Sequence, residues 1–284
     1  MNTPIIASES MSSPKQPNTG RRSFIWKTGS ALSAVLASAL AGISKPRSDG
    51  TEALRERVDR LSKQLGILED TNAIRKLHHA YGYYLDKGIW EEIVNLFADD
   101  GEVYFNGGIF EGKNRGVRRL YIDYFGGGFA GNNFGPIQGF LLDQTQEQDV
   151  VEVAPGRKCA KARFHCLMQM AAKVVSDSPL MEMARQQGQG ILQWWEGGIY
   201  DNSYVRDGDV WKISKLDYRA LWQADYALGW AYSKPGYIRP FSKAYPEDPT
   251  GPDKLIVPAA QLQLRAELVA FHYPHPVTGR LWIG

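Results

Sequence analysis

Moving protons inside a pocket with side chains alone takes groups that give, accept and stabilise charge, and Tyr81, Asp86, His165 and Tyr200 are the residues of this chain suited to that work. An imidazole titrates near neutral pH, so His165 is the first choice for general acid/base. Asp86 would orient a donor, or act as the base where burial raises its pKa. Alternation along a strand puts His165 on one face with Arg163, Leu167 and Gln169, and this face is read as the inner wall of the pocket. A hydrogen-bonded core histidine fits the same position. The Tyr81 and Tyr200 hydroxyls can bond a substrate phenol or a departing hydroxyl.

Eight further residues are candidates for holding a substrate: His78, Tyr84, Tyr104, Arg163, Trp195, Glu196, Asn202 and Trp222. His78 lies three residues before Tyr81 on the same side of a helix; a histidine on such an apolar stripe also fits simple packing. Glu196, Tyr200 and Asn202 share one strand parity and Trp195 the other. Gly197 and Gly198 can bulge and reverse the alternation, so either face can look inward. No metal site is read: His78 and His79 are adjacent and diverge on a helix, and His272 and His275 lack a carboxylate or cysteine nearby in sequence. The stretch Gly126 to Gly131 lacks the lysine and hydroxyl of a phosphate loop, and no serine elbow is present. No cofactor is called for.

These residues need elements to place them. Leu54, Val58, Leu61 and Leu65 recur at helical spacing, and after Gly66 the pattern resumes with Ile74, Leu77, His78, Tyr81 and Leu85, which predicts two consecutive amphipathic helices. Asp70 would cap the second and Gly88 would end it. A short helix follows over Trp90 to Phe97, then a turn at Asp99-Asp100-Gly101, short strands at Val103 to Phe105 and Ile109-Phe110, and a third helix over Arg115 to Phe125. Beyond it the chain reads as β: Phe140 to Val153, Lys158 to Met170, Gly190 to Val205 and Val210 to Tyr218 are rich in Val, Ile, Tyr, Trp and Phe and separated by turn residues. Helices first and antiparallel strands later predict an α+β fold, a cone-shaped barrel of a curved antiparallel sheet packed on three N-terminal helices. Eight of the 15 prolines fall in the tail from Lys234, with one helical stretch at Ala259 to Ala270. That tail is read as an arm that wraps a surface rather than extending the sheet.

The 284 residues, 43% hydrophobic and 23% charged, suit a globular protein with a large core. The formal charge of +2 falls to about −1 once residues 1–41 are set aside, so nucleic acid is not an expected partner. Gly20-Arg21-Arg22-Ser23-Phe24, a weakly apolar run and Ala39-Leu40-Ala41 resemble a twin-arginine signal peptide. The run is too short for a permanent membrane span, and the resemblance implies a periplasmic protein. Cys159 and Cys166, the only cysteines, fall on opposite faces of one predicted strand and cannot bridge each other.

Ala73-Ile74-Arg75-Lys76-Leu77, Tyr81, Asp86 and Leu96-Phe97-Ala98-Asp99-Asp100-Gly101, followed by Ala160 to Arg163, Tyr200 to Gly208 and Val210 to Ile213, resemble SnoaL-like proteins of the nuclear transport factor 2-like superfamily over Asp70 to Tyr218. The expected layout is a signal over 1–41, a linker and helix over 42–69, the SnoaL-like domain over 70–233 and the arm over 234–284. The resemblance implies that fold and, from relatives, a dimer or trimer. Its branches include scytalone dehydratase-like enzymes, in which a helix Asp corresponds to Asp86, and cofactor-free lyases that release formaldehyde from lignin-derived diarylpropanes. The dehydratase pattern is not complete: Leu85 stands beside Asp86 where those enzymes have Tyr, and no His lies in Gln138 to Gln146. The expectation is a cofactor-independent lyase on a hydroxylated aromatic molecule, eliminating water or formaldehyde through a quinone methide-like intermediate. The alternatives are a non-catalytic exported binder of aromatic ligands, and an isomerase or epoxide hydrolase.

Overall fold

Helix α1 runs without a break over Ser48–Asp86. The expected interruption at Gly66 is absent, because the missing side chain there makes room for the Arg157 guanidinium, which packs on the helix backbone and bonds Asp70 at 2.5 Å. Asp70 is therefore not a cap but a buried anion inside α1, accepting also from Arg206 and from the Trp211 indole, each at 3.1 Å. The Arg157 bond is the largest influence holding its carboxyl below the usual range. Gly88, with φ of 62°, ends the helix as expected, its N–H bonding the Leu85 carbonyl at 3.1 Å. Leu54, Val58, Leu61 and Leu65, the apolar stripe of the expected first helix, are exposed.

Helix α2 (Trp90–Asn95) leads directly into strand β1 (Phe97–Phe105), so Asp99-Asp100-Gly101 is no chain turn but an irregularity within the strand, between Phe97 and Glu102. Strand β2 (Gly108–Glu111) returns antiparallel, turned by Asn106 and Gly107 in the left-handed region. In place of one α-helix stand α3 (Gly112–Val117) and α4 (Arg119–Phe129), both wound in wide π-type turns. The long strands are β3 (Phe140–Val153), β4 (Cys159–Lys173), β5 (Ile191–Asp207) and β6 (Val210–Asp225), joined as antiparallel neighbours. Strand β7 (Lys254–Leu255) pairs with β2, so the Pro-rich tail does extend the sheet, by two residues.

The sheet order is β3-β4-β5-β6-β1-β2-β7. This overturns the cone-shaped barrel. No register joins β3 to β7, so the sheet is open with an edge at each end, and the β1–β6 pair is parallel, so it is mixed rather than antiparallel throughout. The sequence pattern shows which strands alternate but not whether the last one finds the first. The α+β class stands, with helices on a mixed sheet.

The computed structural model describes residues 48–129, 140–173, 191–229, 240–256 and 270–282. The twin-arginine segment, residues 130 and 131 of the glycine-rich stretch and residues 259–269 of the expected tail helix lie outside them. The chain divides into two units, Met1–Leu61 and Ser62–Gly284. The described part of the first is residues 48–61 of α1; the sheet, the core and the site belong to the second. No described helix is long and apolar enough to cross a membrane. Both cysteines are free, Cys166 buried and Cys159 exposed.

Alternation decides which face of the sheet the helices cover. On β4 the even positions Phe164, Cys166, Met168 and Met170 are buried, and on β5 the even positions Trp194, Glu196, Tyr200, Asn202 and Tyr204. With Ile74, Trp90, Ile93, Phe97 and Leu216 they form one core, in which each buried large side chain contributes about 1.5–3 kcal/mol.

Candidate active site

Inside this core, where the end of α1 meets α2, α4 and the sheet, lies a cavity of about 50 Å³. Its wall is hydrocarbon and aromatic ring for the most part (Leu85, Trp90, Phe125, Leu142, Met168 and Met170 among others), broken by four tyrosines, Gln144 and Glu196.

The register explains the polar positions. Gln144 stands opposite Met168, Met168 opposite Glu196 and Glu196 opposite Gln223, so one row across four strands carries the carboxyl group and two amides. Next to this row the β5–β6 register shifts at Gly197/Gly198. A Cβ on Gly198 would lie 2.7 Å from the Tyr218 hydroxyl, and one on Gly197 would collide with the Trp222 indole. The bare position at Gly198 lets Tyr218 cross β5 and donate to Glu196 Oε1. Gln223 and the Trp194 indole, the latter at 3.2 Å, donate to Oε2. Three donors fill three of the four lone-pair positions, leaving one on Oε1 for a proton. Burial pushes the Glu196 pKa up against these bonds, which favours the neutral acid.

A line of phenols continues from there. The Tyr218 and Tyr200 rings are 4.7 Å apart and those of Tyr200 and Tyr81 5.7 Å, while Tyr121 donates to the Tyr81 oxygen at 3.1 Å and Tyr200 to Gln144 Oε1 at 2.8 Å. Burial raises the pKa of all four, that of Tyr81 to about 12, so they serve as neutral hydrogen-bond donors at physiological pH.

Behind the wall sits His78, fully buried and stacked on Phe164 at 3.8 Å. Its Nε2 meets Gln146 Oε1 at 2.9 Å and its Nδ1 meets Asn202 Nδ2 at 3.3 Å. An amide oxygen on one side and an amide N–H on the other assign the Nε2–H tautomer. Burial brings its pKa down to about 3, so it stays neutral.

Of the residues singled out in the sequence, Tyr81, Tyr200 and Glu196 line the cavity; His78 and Asn202 stand directly behind it, and the rest lie elsewhere. Asp86 is half-buried at the end of α1, where its Oδ1 accepts the Gln144 backbone N–H at 2.9 Å and burial lifts its pKa to about 6. Tyr84 packs on the core from outside, Tyr104 lies under the Lys215 ammonium at 4.0 Å, and Trp222 covers Gly197. The face carrying His165 and Arg163 is the one turned away from the cavity, the reverse of the expected inner wall: Phe164 and Cys166, not their neighbours, point to the helices. Trp195 shares that outer side and stacks on Tyr226 at 5.5 Å. His165 pairs across the strands with Glu147 and Ile199. Arg163 bonds Asp201 at 3.0 Å and the Ala270 carbonyl at 2.6 Å.

Sequence reading missed Tyr121, Gln144, Trp194, Tyr218 and Gln223. The alternation of Leu142, Gln144 and Gln146 was a usable signal for Gln144. Tyr218 had none, since only the irregular register brings it over β5.

On the outer face Asp201 also meets His272 Nδ1 at 3.1 Å. Burial pushes the Asp201 carboxyl up, but the bonds and charges of His272 and Arg163 outweigh it and hold it at about 2. A carboxyl depressed on folding stabilises above its unfolded value of ~3.9, by about 2 kcal/mol here, and loses this as pH falls toward the folded value. Urea unfolding of wild type and Asp201→Asn at pH 6 and pH 3 should therefore show a stability gap that narrows at the lower pH. His78 titrates in both proteins and cancels; a gap of constant size would show that Asp201 carries no such linkage.

Helices on one face of an open mixed sheet thus close on an aromatic cavity with a buried acid in its wall. The chain belongs to the SnoaL-like domain family, which matches residues 66–217. No curated protein matches it. Among solved structures it is distantly similar to a scytalone dehydratase-like protein of Novosphingobium aromaticivorans (17% identity, 57% of this chain and 91% of that one, TM-score 0.43). Two others are the hexachlorocyclohexane dehydrochlorinase LinA-type3 of Novosphingobium barchaimii (18%, 57% and 92%, 0.43) and an NTF2-like protein with a cystatin-like fold from N. aromaticivorans (19%, 57% and 88%, 0.40). Among the described residues no three His, Cys, Asp or Glu side chains converge as a metal site.

Proposed function

We propose that this protein is a lyase acting on a small hydroxylated aromatic molecule, with Glu196 as its acid and base and residues 1–41 as its export address. The observation that carries the reading is a buried carboxyl group whose pKa burial raises, with one open position, in the wall of an aromatic cavity. Glu196 gives its proton to a departing benzylic hydroxyl, the C–O bond breaks, and electrons from the ring's phenol fill the gap as a quinone methide; the phenolic proton returns to the carboxylate. Release of formaldehyde starts from the same quinone methide when the phenolic proton has gone to solvent instead: the Glu196 carboxylate takes the proton of a primary hydroxyl, the C–C bond breaks, and its electron pair refills the quinone methide as a phenolate, which solvent reprotonates. Tyr81, with Tyr121 behind it, supports the phenol oxygen, and Tyr200 flanks the ring. Asp86 is half-buried behind Gln144, in reach of solvent, and serves to exchange protons with it.

A cavity of about 50 Å³ is smaller than the ~150 Å³ that accepts benzene in an engineered apolar void. A ring enters only if wall side chains move, and Met168 and Met170, unbranched thioethers, are suited to yield. The test is incubation of the protein with para-hydroxyphenyl substrates bearing benzylic or primary hydroxyls, following formaldehyde release and the absorption band of a conjugated product. Quenching of tryptophan fluorescence with no product from any of them would leave a binding protein instead of an enzyme.

A further inference from the structure

Helix α1 obeys two different periods on two sides. The residues it buries against the sheet, Asp70, Ile74, His78, Tyr81 and Leu85, follow the 3.6-residue repeat of a helix packed in a globular core. On its outer side Leu54, Val58, Leu61, Leu65 and Leu68 are spaced by four, three, four and three residues, a strict heptad pattern. All five are between 46 and 60% exposed. One exposed leucine is ordinary; five in a continuous line are an unfilled interface.

We propose that this line is the seam of a parallel two-stranded coiled coil formed with a second copy of the chain. Read as heptads, Leu54, Leu61 and Leu68 take the d positions, Val58 and Leu65 the a positions, and Asn72 the next a. A β-branched a with leucine at d favours two strands, and a single Asn at a fixes register. Parallel pairing stacks five apolar layers of identical residues. Reversing one copy sets the terminal leucines against Thr51 or Asn72. Beside the seam, Arg57 of one copy faces Ser62 of the other and Gln64 faces Glu69, so no like charges oppose each other and the Gln64 amide can donate to the Glu69 carboxylate. Closing the seam covers the exposed halves of ten side chains and the stems beside them, on the order of 1,000 Å² in all, the size at which specific interfaces begin.

Sedimentation of the full chain at micromolar concentration should show a dimer. Leu61→Glu combined with Leu65→Glu should give a monomer with unchanged near-ultraviolet circular dichroism, since neither side chain touches the core. In a Cys159→Ser background, which removes the exposed native thiol, Leu54→Cys should form an intermolecular disulfide on mild oxidation, because parallel register brings the two d positions together. Should the double variant lose its tertiary spectrum, this crosslink decides alone. A monomeric wild type, a trimer, a dimer that survives both glutamates, or a dimer without the crosslink would each overturn the proposal.

Discussion

Replacement of Glu196 by glutamine should lower turnover of a responsive phenolic substrate by about 10²–10³-fold, the usual worth of a positioned acid or base. The substitution keeps size and shape and removes only the exchangeable proton. With its N–H at the Oε1 position the new amide faces the Tyr218 hydroxyl, which can turn and accept, while the retained oxygen keeps the bonds from Gln223 and the Trp194 indole, so the row across β3 to β6 survives. Melting temperature should stay within a few degrees of wild type, since a neutral amide replaces a group that burial already favours in its neutral form. The pH profile gives a second reading. Burial raises the pKa of Glu196, so as the proton donor in water elimination it should lose activity as pH rises through that value, and the limb should disappear in the variant. Turnover within twofold of wild type, with the limb intact, would remove Glu196 from the mechanism and pass the role to Asp86.

The second large effect is on stability. Asn202→Ala should cost about 3 kcal/mol, read from urea unfolding, because one amide satisfies three groups at once. Its Oδ1 accepts the Asp217 backbone N–H at 3.1 Å, and its Nδ2 reaches the Tyr204 oxygen at 3.1 Å and His78 Nδ1 at 3.3 Å. All lie where water does not reach, so truncation strands them. The midpoint of thermal unfolding should fall by roughly 6–12 °C for a domain of this size. Asn202→Asp keeps the acceptor for Asp217 but brings a charge beside a histidine held neutral. It should recover stability at low pH, where both groups can protonate, more than at pH 7. A loss below about 1 kcal/mol for the alanine variant would mean that the network relaxes around the gap or admits water.

The strands were legible because period-two alternation is a local property: Phe140 to Val153 was read to its observed bounds, and the other three long strands to within a few residues at their starts. Which face turned inward was not, since Arg163 and Phe164 are both credible wall residues and only the helices above the sheet choose between them. The same limit hid the open edge, which depends on β1 lying parallel beside β6, a pairing between segments more than a hundred residues apart. For the site, Tyr81 and Tyr200 were readable as polar tips on apolar periodic elements, and Glu196 as an acid in an apolar strand. His165 was chosen for its chemistry, and chemistry alone does not report direction. Leu54, Val58, Leu61 and Leu65 illustrate another limit: their spacing marks an amphipathic helix, but a hydrophobic repeat does not name its partner.

One position without a side chain, Gly198, sets how near the Tyr218 phenol comes to Glu196, as Gly197 beside it makes room for the Trp222 indole. The Tyr218 bond that opposes the effect of burial on the Glu196 carboxyl thus rests on a steric allowance on a strand, away from the acid itself. Divergence within such a scaffold needs no new reactive group: one methyl on that strand retunes the proton's affinity while every functional side chain is inherited unchanged.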